Sequence, residues 1–180
     1  MTVADDTITI DANVFNYITA YTESGNLPNG LVVRFIEEFI SLYNTQKVAV
    51  NDWIRTEFMN CTSKHTVMHW LKNRGVLSKL KEIAPVPLPN NLKKYLFTEF
   101  GFNSTLDMKY LETANQTFLK VLITYNDADF KKKHKSKRKQ TLDKFIEREI
   151  KLKVRNMDEY YIEFSPIITT LKETASSSSN

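Results

Sequence analysis

Short apolar runs typical of strands alternate along this chain with longer segments whose apolar residues recur at helical spacing. The segments 7–10, 47–50 and 120–124 are rich in β-branched residues, and helical patterns separate them. A similar run at 160–164 predicts a last strand. Strands separated by helices need crossover connections. The sequence therefore predicts an α/β fold with three α/β/α layers and a mainly parallel central sheet.

The helical segments carry clear start and stop signals. Asn51 follows the second predicted strand and can cap a helix, and Ser104 to Asp107 form a capping box of the Ser-x-x-Asp type. Three prolines predict an extended connector over 85–89, since each ring fixes φ and restricts the preceding residue. Helices are predicted at about 14–21, 32–43, 52–57, 64–82, 91–100, 105–118 and 140–154, with a short last helix from Pro166.

Composition indicates one domain. The 180 residues are 42% hydrophobic, which is enough for one core but leaves too little chain for two. We predict a single domain over 1–174, with a helical insertion between the second strand and the strand at 120–124. The serine-rich tail at 175–180 is expected to be disordered.

No apolar run approaches the length of a membrane span and no secretory signal is present, so we expect a cytoplasmic location without membrane contact.

Positive charge is concentrated in one segment, 131–139, which we call the basic tract. The net charge is +4, from 25 basic and 21 acidic side chains, and the tract holds seven of the basic ones and no acidic one. The rest of the chain therefore carries 18 basic and 21 acidic side chains. This distribution favours contact with a polyanion at one place. The candidate nucleic-acid-binding residues are Lys131, Lys132, Lys133, Lys135, Lys137, Arg138 and Lys139.

Acidic residues follow two of the predicted strands. Asp11 ends the first, Asp127 and Asp129 come soon after the strand at 120–124, and Glu57 and Asp107 lie in helices. Each has an ordinary explanation as a helix cap, turn residue or surface residue. Ligands of open α/β sheets nevertheless gather beyond the carboxyl ends of the strands. Carboxylates that converge there repel one another unless a cation such as Mg²⁺ or Mn²⁺ joins them.

Residues 8–14 resemble the opening strand and first acid of PIN domains, a fold of many toxin ribonucleases and RNA-processing nucleases. Glu57 resembles the second acid of that family, Asp107 the third, and the motif 127–130 the fourth. The resemblance implies that Asp11, Glu57, Asp107 and Asp127 are catalytic. It also implies that these four, with Asp129 as a further ligand, hold Mg²⁺ or Mn²⁺.

Two positions of the resemblance stay open. Asp52 follows the same strand as Glu57 and competes with it for the second acid. The family often places Ser or Thr two residues before the fourth acid, but that position here is Tyr125, with Thr124 before it. The polar residues expected to support the site, by orienting an acid or a water, are Asn13, Thr124 and Asn126.

The function implied by the resemblance is that of an endoribonuclease that hydrolyses phosphodiester bonds with a metal-activated water. RNA is the expected substrate, with DNA as the alternative. A toxin role would add an antitoxin protein as a partner, and family analogy adds a homodimer. The competing hypothesis is a non-catalytic nucleic-acid-binding or assembly module on the same fold. A zinc site is disfavoured because His65 and His69 lack a third ligand, and a cysteine nucleophile is disfavoured because Cys61 lacks an activating neighbour.

Overall fold

The computed structural model describes residues 6–15, 46–60, 67–73, 75, 77–160 and 162–164. Its strands are β1 (Thr9–Ile10), β2 (Val48–Val50), β3 (Leu80–Glu82), β4 (Val121–Ile123) and β5 (Lys153–Arg155). Its helices are α1 (Asp52–Asn60), α2 (Val67–Asn73), α3 (Asn90–Phe100), α4 (Thr105–Ala114), α5 (Asp127–Phe130) and α6 (Leu142–Ile150). Residues 12–15 are also helical.

The strands β1 to β5 pair with one another in parallel. β4 lies between β1 and β5 in one sheet, and β2 pairs with β3 in another. A parallel bridge between Ile8 and Val48 joins the two, with Ile8 N donating to Lys47 O at 2.9 Å and Ala49 N donating to Ile8 O at 2.7 Å. The strands therefore follow the order β3-β2-β1-β4-β5. The prediction of an α/β fold with parallel strands is confirmed at this level.

The strands β2 and β4 are apolar throughout because they are buried on both faces. Every residue of β2 and β4 is inaccessible to solvent, as expected for parallel strands covered by helices. One hydrophobic cluster includes Ile10, Val48, Leu122 and Val154, and Leu80 of β3 packs against it. The described strands thus share a core.

Two of the predicted helix starts are confirmed by their caps. Asn51 Oδ1 accepts hydrogen bonds from Trp53 N at 3.1 Å and Ile54 N at 3.2 Å, at the start of α1. Ser104 Oγ accepts from Asp107 N at 3.1 Å, at the start of α4. Since α1 follows β2 directly and α4 precedes β4, these caps set where the acids of both helices lie relative to the sheet.

The predicted helix over 64–82 is wrong at its carboxyl end. Of its described residues, α2 covers Val67–Asn73, a 3₁₀ turn covers Leu77–Lys79, and β3 follows. β3 has no β-branched residue, so its sequence gives no strand signal. Its pairing with β2 decides the conformation, and Ile83 N extends the ladder by donating to Val50 O at 2.8 Å.

The strand predicted at 160–164 is also wrong. The last described strand is β5, and residues 157–160 and 162–164 are helical. Asn156 Oδ1 accepts from Glu159 N at 2.8 Å, while Glu159 Oε2 accepts from Asn156 N at 2.9 Å, which is a reciprocal capping box. The rings of Tyr160 and Phe164 stack at 5.2 Å on the same side of this turn. Aromatic residues four apart here mark a helix face instead of a strand.

Several predictions fall outside the described residues. These are the helix at 32–43, most of the helix at 14–21, the helix after Pro166 and the tail at 175–180. The domain boundaries stay predictions for the same reason. Among the described residues, no helix combines the length and apolar character needed to cross a membrane.

Candidate functional site

Asp11 lies where β1 ends, next to the end of β4. Its backbone N donates to Ile123 O at 2.9 Å, which continues the ladder between the two strands. The side chain is buried, with 4% of the residue exposed. Thr124 Oγ1 donates to Asp11 Oδ2 at 2.7 Å, and Asn13 N donates to Asp11 Oδ1 at 3.1 Å. Two of the three residues expected to support the site therefore contact this carboxylate directly.

Polar contacts fix the loop after β4 around Asp11. Asn13 Nδ2 donates to Asp11 Oδ2 at 3.0 Å and to Thr124 Oγ1 at 3.2 Å. Asn126 N donates to Thr124 Oγ1 at 2.9 Å, and Tyr125 N donates to Asn13 Oδ1 at 3.1 Å. The Thr124 hydroxyl thus accepts two hydrogen bonds and donates one, so its orientation toward Asp11 is determined.

Burial and neighbouring charges destabilise the ionised form of Asp11. Burial, together with the negative charges of Glu57 and Asp107, raises the pKa of Asp11 to about 6. The hydrogen bonds from Thr124 and Asn13 lower that pKa but do not offset the burial. Three acids from distant parts of the chain therefore act on one another electrostatically.

Glu57 reaches the site from α1 and is held by Tyr110 of α4. The Tyr110 hydroxyl donates to Glu57 Oε2 and accepts from Ala12 N at 3.1 Å. Burial and the charge of Asp107 raise the pKa of Glu57. Tyr110 is buried, with 1% exposure, and one hydroxyl connects the end of β1, α1 and α4. Sequence reasoning missed this residue, although it lies three positions after Asp107, on the same helix face.

Asp52, the competing second acid, lies at the first turn of α1 and is exposed. The charges that raise the pKa of Asp11 include that of Glu57 and not that of Asp52. The structure therefore brings Glu57 to the site and leaves Asp52 at the surface of the helix.

Asp107 lies in the first turn of α4 and is 7% exposed. Burial and the charge of Asp129 raise its pKa, although hydrogen bonds from Ser104 and Asn126 and the charge of Lys132 lower it. Asn126 Nδ2 lies 3.5 Å from Asp107 Oδ2 and donates to Asp129 Oδ2 at 3.0 Å. Asn126, the third residue expected to support the site, therefore bridges two acids.

The structure places the two acids of the fourth motif differently. The Asp127 side chain is 62% exposed and pairs with Lys131 Nζ at 3.3 Å. The Asp129 side chain is 30% exposed and its charge acts on Asp107. Lys132 Nζ lies 2.7 Å from Asp129 Oδ1, and this hydrogen bond lowers the pKa of Asp129. Asp129, predicted as an additional ligand, is thus the acid that joins the group.

Comparisons with protein-family models, with curated proteins and with solved structures found no match to this chain. Its family is therefore not established by similarity.

The acidic residues of the site have suitable ligand atoms for a hard divalent cation, but their side chains are not close enough together to form a ligand set. Carboxylate oxygens are the ligands that Mg²⁺ and Mn²⁺ prefer, and buried acids with raised pKa values would be stabilised by a nearby positive charge. Among the described residues, no group of three or more His, Cys, Asp or Glu side chains is arranged to hold a metal ion. The donor chemistry therefore fits, whereas the arrangement of the carboxylates is more open than a ligand set.

The basic tract divides into two parts. Its first lysines pair with acids at the site: Lys131 with Asp127, and Lys132 with Asp129. The five remaining basic side chains are exposed, and they are Lys133, Lys135, Lys137, Arg138 and Lys139.

Among the residues considered for zinc binding or thiol chemistry, His69 is exposed, and Cys61 and His65 lie outside the described residues.

Proposed function

We propose that this protein is a Mg²⁺- or Mn²⁺-dependent endoribonuclease with a three-layer PIN-like architecture. The observation that carries the proposal is that Asp11, Glu57 and Asp107 all have raised pKa values, chiefly because of burial. The negative charges of Glu57 and Asp107 also raise the pKa of Asp11, that of Asp107 raises the pKa of Glu57, and that of Asp129 raises the pKa of Asp107. Groups with strongly shifted pKa values cluster at functional sites. The parallel strand order β3-β2-β1-β4-β5, with Asp11 at a strand end, supports a site of this kind.

In this proposal Asp11, Glu57 and Asp107 hold the cation, and Asp129 contributes from the loop after β4. When bound, the cation lowers the pKa of a water molecule and neutralises charge on the scissile phosphate. Thr124 and Asn13 orient Asp11 through their hydrogen bonds. Tyr110 orients Glu57, and Asn126 sets the spacing between Asp107 and Asp129.

The deciding experiment is cleavage of mixed RNA by purified protein with Mn²⁺ and with chelator. We expect cleavage with Mn²⁺ alone, and at least a roughly tenfold loss in D11N and in E57Q, equivalent to about 1.4 kcal/mol. D52N is the matched control on α1, because Asp52 is exposed. Equal activity of D11N and the unmodified protein would refute the assignment, and a DNA substrate in parallel tests the choice of RNA. Growth arrest on expression tests the toxin role.

The second candidate is a nucleic-acid-binding module that uses these acids structurally. The ion pairs of Lys131 with Asp127 and of Lys132 with Asp129 favour it, because they give the acids a role in holding the basic tract. Mn²⁺ separates the two functions, since a ligand bound by the native state raises the melting temperature. A rise that disappears in D11N supports the nuclease, and no rise in the unmodified protein supports the module.

A further inference from the structure

A groove in the surface lies between the distal part of the basic tract and α6. Its volume is about 810 Å³, and its lining includes five basic side chains with Ser136 and Gln140. No acidic and no hydrophobic residue lines it among the residues that the structure describes. The basic side chains come from two segments: Lys137, Arg138 and Lys139 from the tract, and Lys144 and Arg148 from α6. We call this the basic groove.

The tract side of the groove is a folded loop. His134 is buried, with 3% exposure, and its Nδ1 accepts from Ser136 N and Lys137 N, each at 3.1 Å. The ring therefore carries its proton on Nε2, which lies 3.0 Å from the Tyr95 hydroxyl. Gln140 N donates to Lys137 O at 2.8 Å and closes the loop. A lysine-rich run with a buried histidine at its base is more ordered than a solvated charge run.

Two basic residues of α6 form the helix side of the groove. Lys144 and Arg148 are four residues apart and therefore lie on one face of α6. The Gln140 side-chain oxygen, in the amide orientation that satisfies its partners, accepts from Arg148 Nη1 at 3.1 Å and Nη2 at 3.2 Å. Arg148 also pairs with Glu149 at 2.9 Å, but both side chains are exposed to solvent, and such pairs contribute little. The guanidinium is therefore held at the groove and is only weakly neutralised.

Five like charges around one groove repel one another, and a polyanion would relieve that repulsion. We propose that the basic groove binds backbone phosphates of the RNA that the acids cleave. RNA is favoured because the same tract begins at the acids, where Lys132 contacts Asp129, so one strand can contact both places. A lipid surface is disfavoured because apolar side chains are lacking in the described lining. The choice of RNA rests on the proposed nuclease function.

Binding of 2′-O-methyl RNA in the presence of chelator tests the groove without cleavage or metal. Two neutralised phosphate contacts should reduce the slope of log K against log salt by about 1.4, at roughly 0.7 per contact for a single strand. We expect this reduction in the K144Q/R148Q double variant and in K137Q/K139Q. The matched control is K47Q/K72Q, which removes the same charge at exposed positions that do not line the groove.

The outcomes separate the groove from the proposed catalysis. A lower slope in both groove variants but not in the control supports the groove, even if the unmodified protein cleaves no RNA. Equal slopes in groove and control variants overturn it, even if cleavage depends on the acids. Binding of anionic phospholipid vesicles or of polyglutamate in place of RNA also overturns it. The loop variant tests the proposal if the helix variant fails to fold.

Discussion

Thr124 Oγ1 donates a 2.7 Å hydrogen bond to Asp11 Oδ2, and this contact joins the ends of two neighbouring parallel strands. The same hydroxyl accepts from Asn126 N and so also fixes the start of the loop that carries Asp129. A hydroxyl that both accepts and donates is needed here, because a carbonyl could not donate to the carboxylate. Thr124 therefore connects the first acid to the last.

We predict that T124V lowers the free energy of unfolding by about 1–3 kcal/mol, because Asn126 N and a buried carboxylate both lose a partner. Thr124 is 3% exposed, and valine has nearly the same shape. Urea denaturation at neutral pH measures the change. T124S keeps the hydroxyl and is the control, with an expected loss below that of T124V. A loss in T124S as large as that in T124V would contradict the assignment to the hydroxyl group.

The stability of the protein should depend on the ionisation of Asp11. Its pKa rises from an ordinary 3.8 to about 6 on folding, so the folded state favours the protonated form. The contribution of Asp11 to the free energy of unfolding is therefore greatest below pH 3.8, and this contribution is lost as pH rises through about 6. The loss amounts to about 3 kcal/mol, at 1.36 kcal/mol for each pKa unit.

The difference between unmodified protein and D11N isolates this contribution. Denaturation curves at several pH values between 4 and 7 should show a steeper fall in stability for the unmodified protein. Added Mn²⁺ at pH 7 should recover stability in the unmodified protein alone, in proportion to its binding. Parallel pH profiles for the two proteins would show that Asp11 is not destabilised by burial.

Asp129 and Asp127 should differ in their effects on cleavage. Because Asp129 acts on Asp107 whereas Asp127 is 62% exposed, we expect D129N to reduce Mn²⁺-dependent cleavage by more than about tenfold, or about 1.4 kcal/mol. D127N should stay within a few-fold of the unmodified protein. Initial rates at saturating Mn²⁺ measure both. A larger effect of D127N would restore the prediction from the sequence motif.

Glu112 of α4 forms a second buried ionic group, with lysines of α3 and α4. Its side chain is inaccessible to solvent and pairs with Lys93 at 2.6 Å and Lys109 at 3.0 Å. It also accepts from Leu88 N at 3.2 Å, which fastens the proline-rich connector. Although burial raises its pKa, hydrogen bonds from Lys93, Lys109 and Leu88 N lower it below the ordinary 4.5.

Stability from Glu112 is therefore present above pH 4.5 and lost as pH falls through its lower folded pKa. We expect E112Q to cost about 3 kcal/mol at pH 7, since two lysines lose a buried partner. E82Q removes the exposed partner of Arg55, and should cost less than about 1 kcal/mol. Thermal unfolding of both variants measures the contrast, and similar losses would contradict it.

Local sequence patterns predicted correctly those strands whose residue types match their position in the fold. β2 and β4 consist of apolar residues that are buried on both faces, and these apolar runs predicted both strands correctly. β3 was missed because Leu80–Glu82 pairs with β2 without strand-forming residues of its own. The opposite error occurred at 160–164, where the aromatic residues predicted a strand. These residues are helical because the capping box formed by Asn156 and Glu159 starts a helix.

The site could be predicted in part for a similar reason. Asp11, Glu57 and Asp107 were identifiable because each adjoins a strand or a capped helix. Which acid of the loop after β4 joins them depends on how that loop turns, and Asn126 decides this by bonding to Asp129 and approaching Asp107. Tyr110 was not identifiable, since a tyrosine among apolar helix residues is typical of a core position.

The Tyr110 hydroxyl also has a kinetic consequence. Ala12 and Tyr110, which it joins, are 98 residues apart in the chain, so the acids meet when long loops close. Contacts formed after the rate-limiting barrier change the unfolding rate more than the folding rate. The repulsion among the carboxylates should therefore shorten the lifetime of the native state as pH rises, while refolding from urea keeps nearly the same speed.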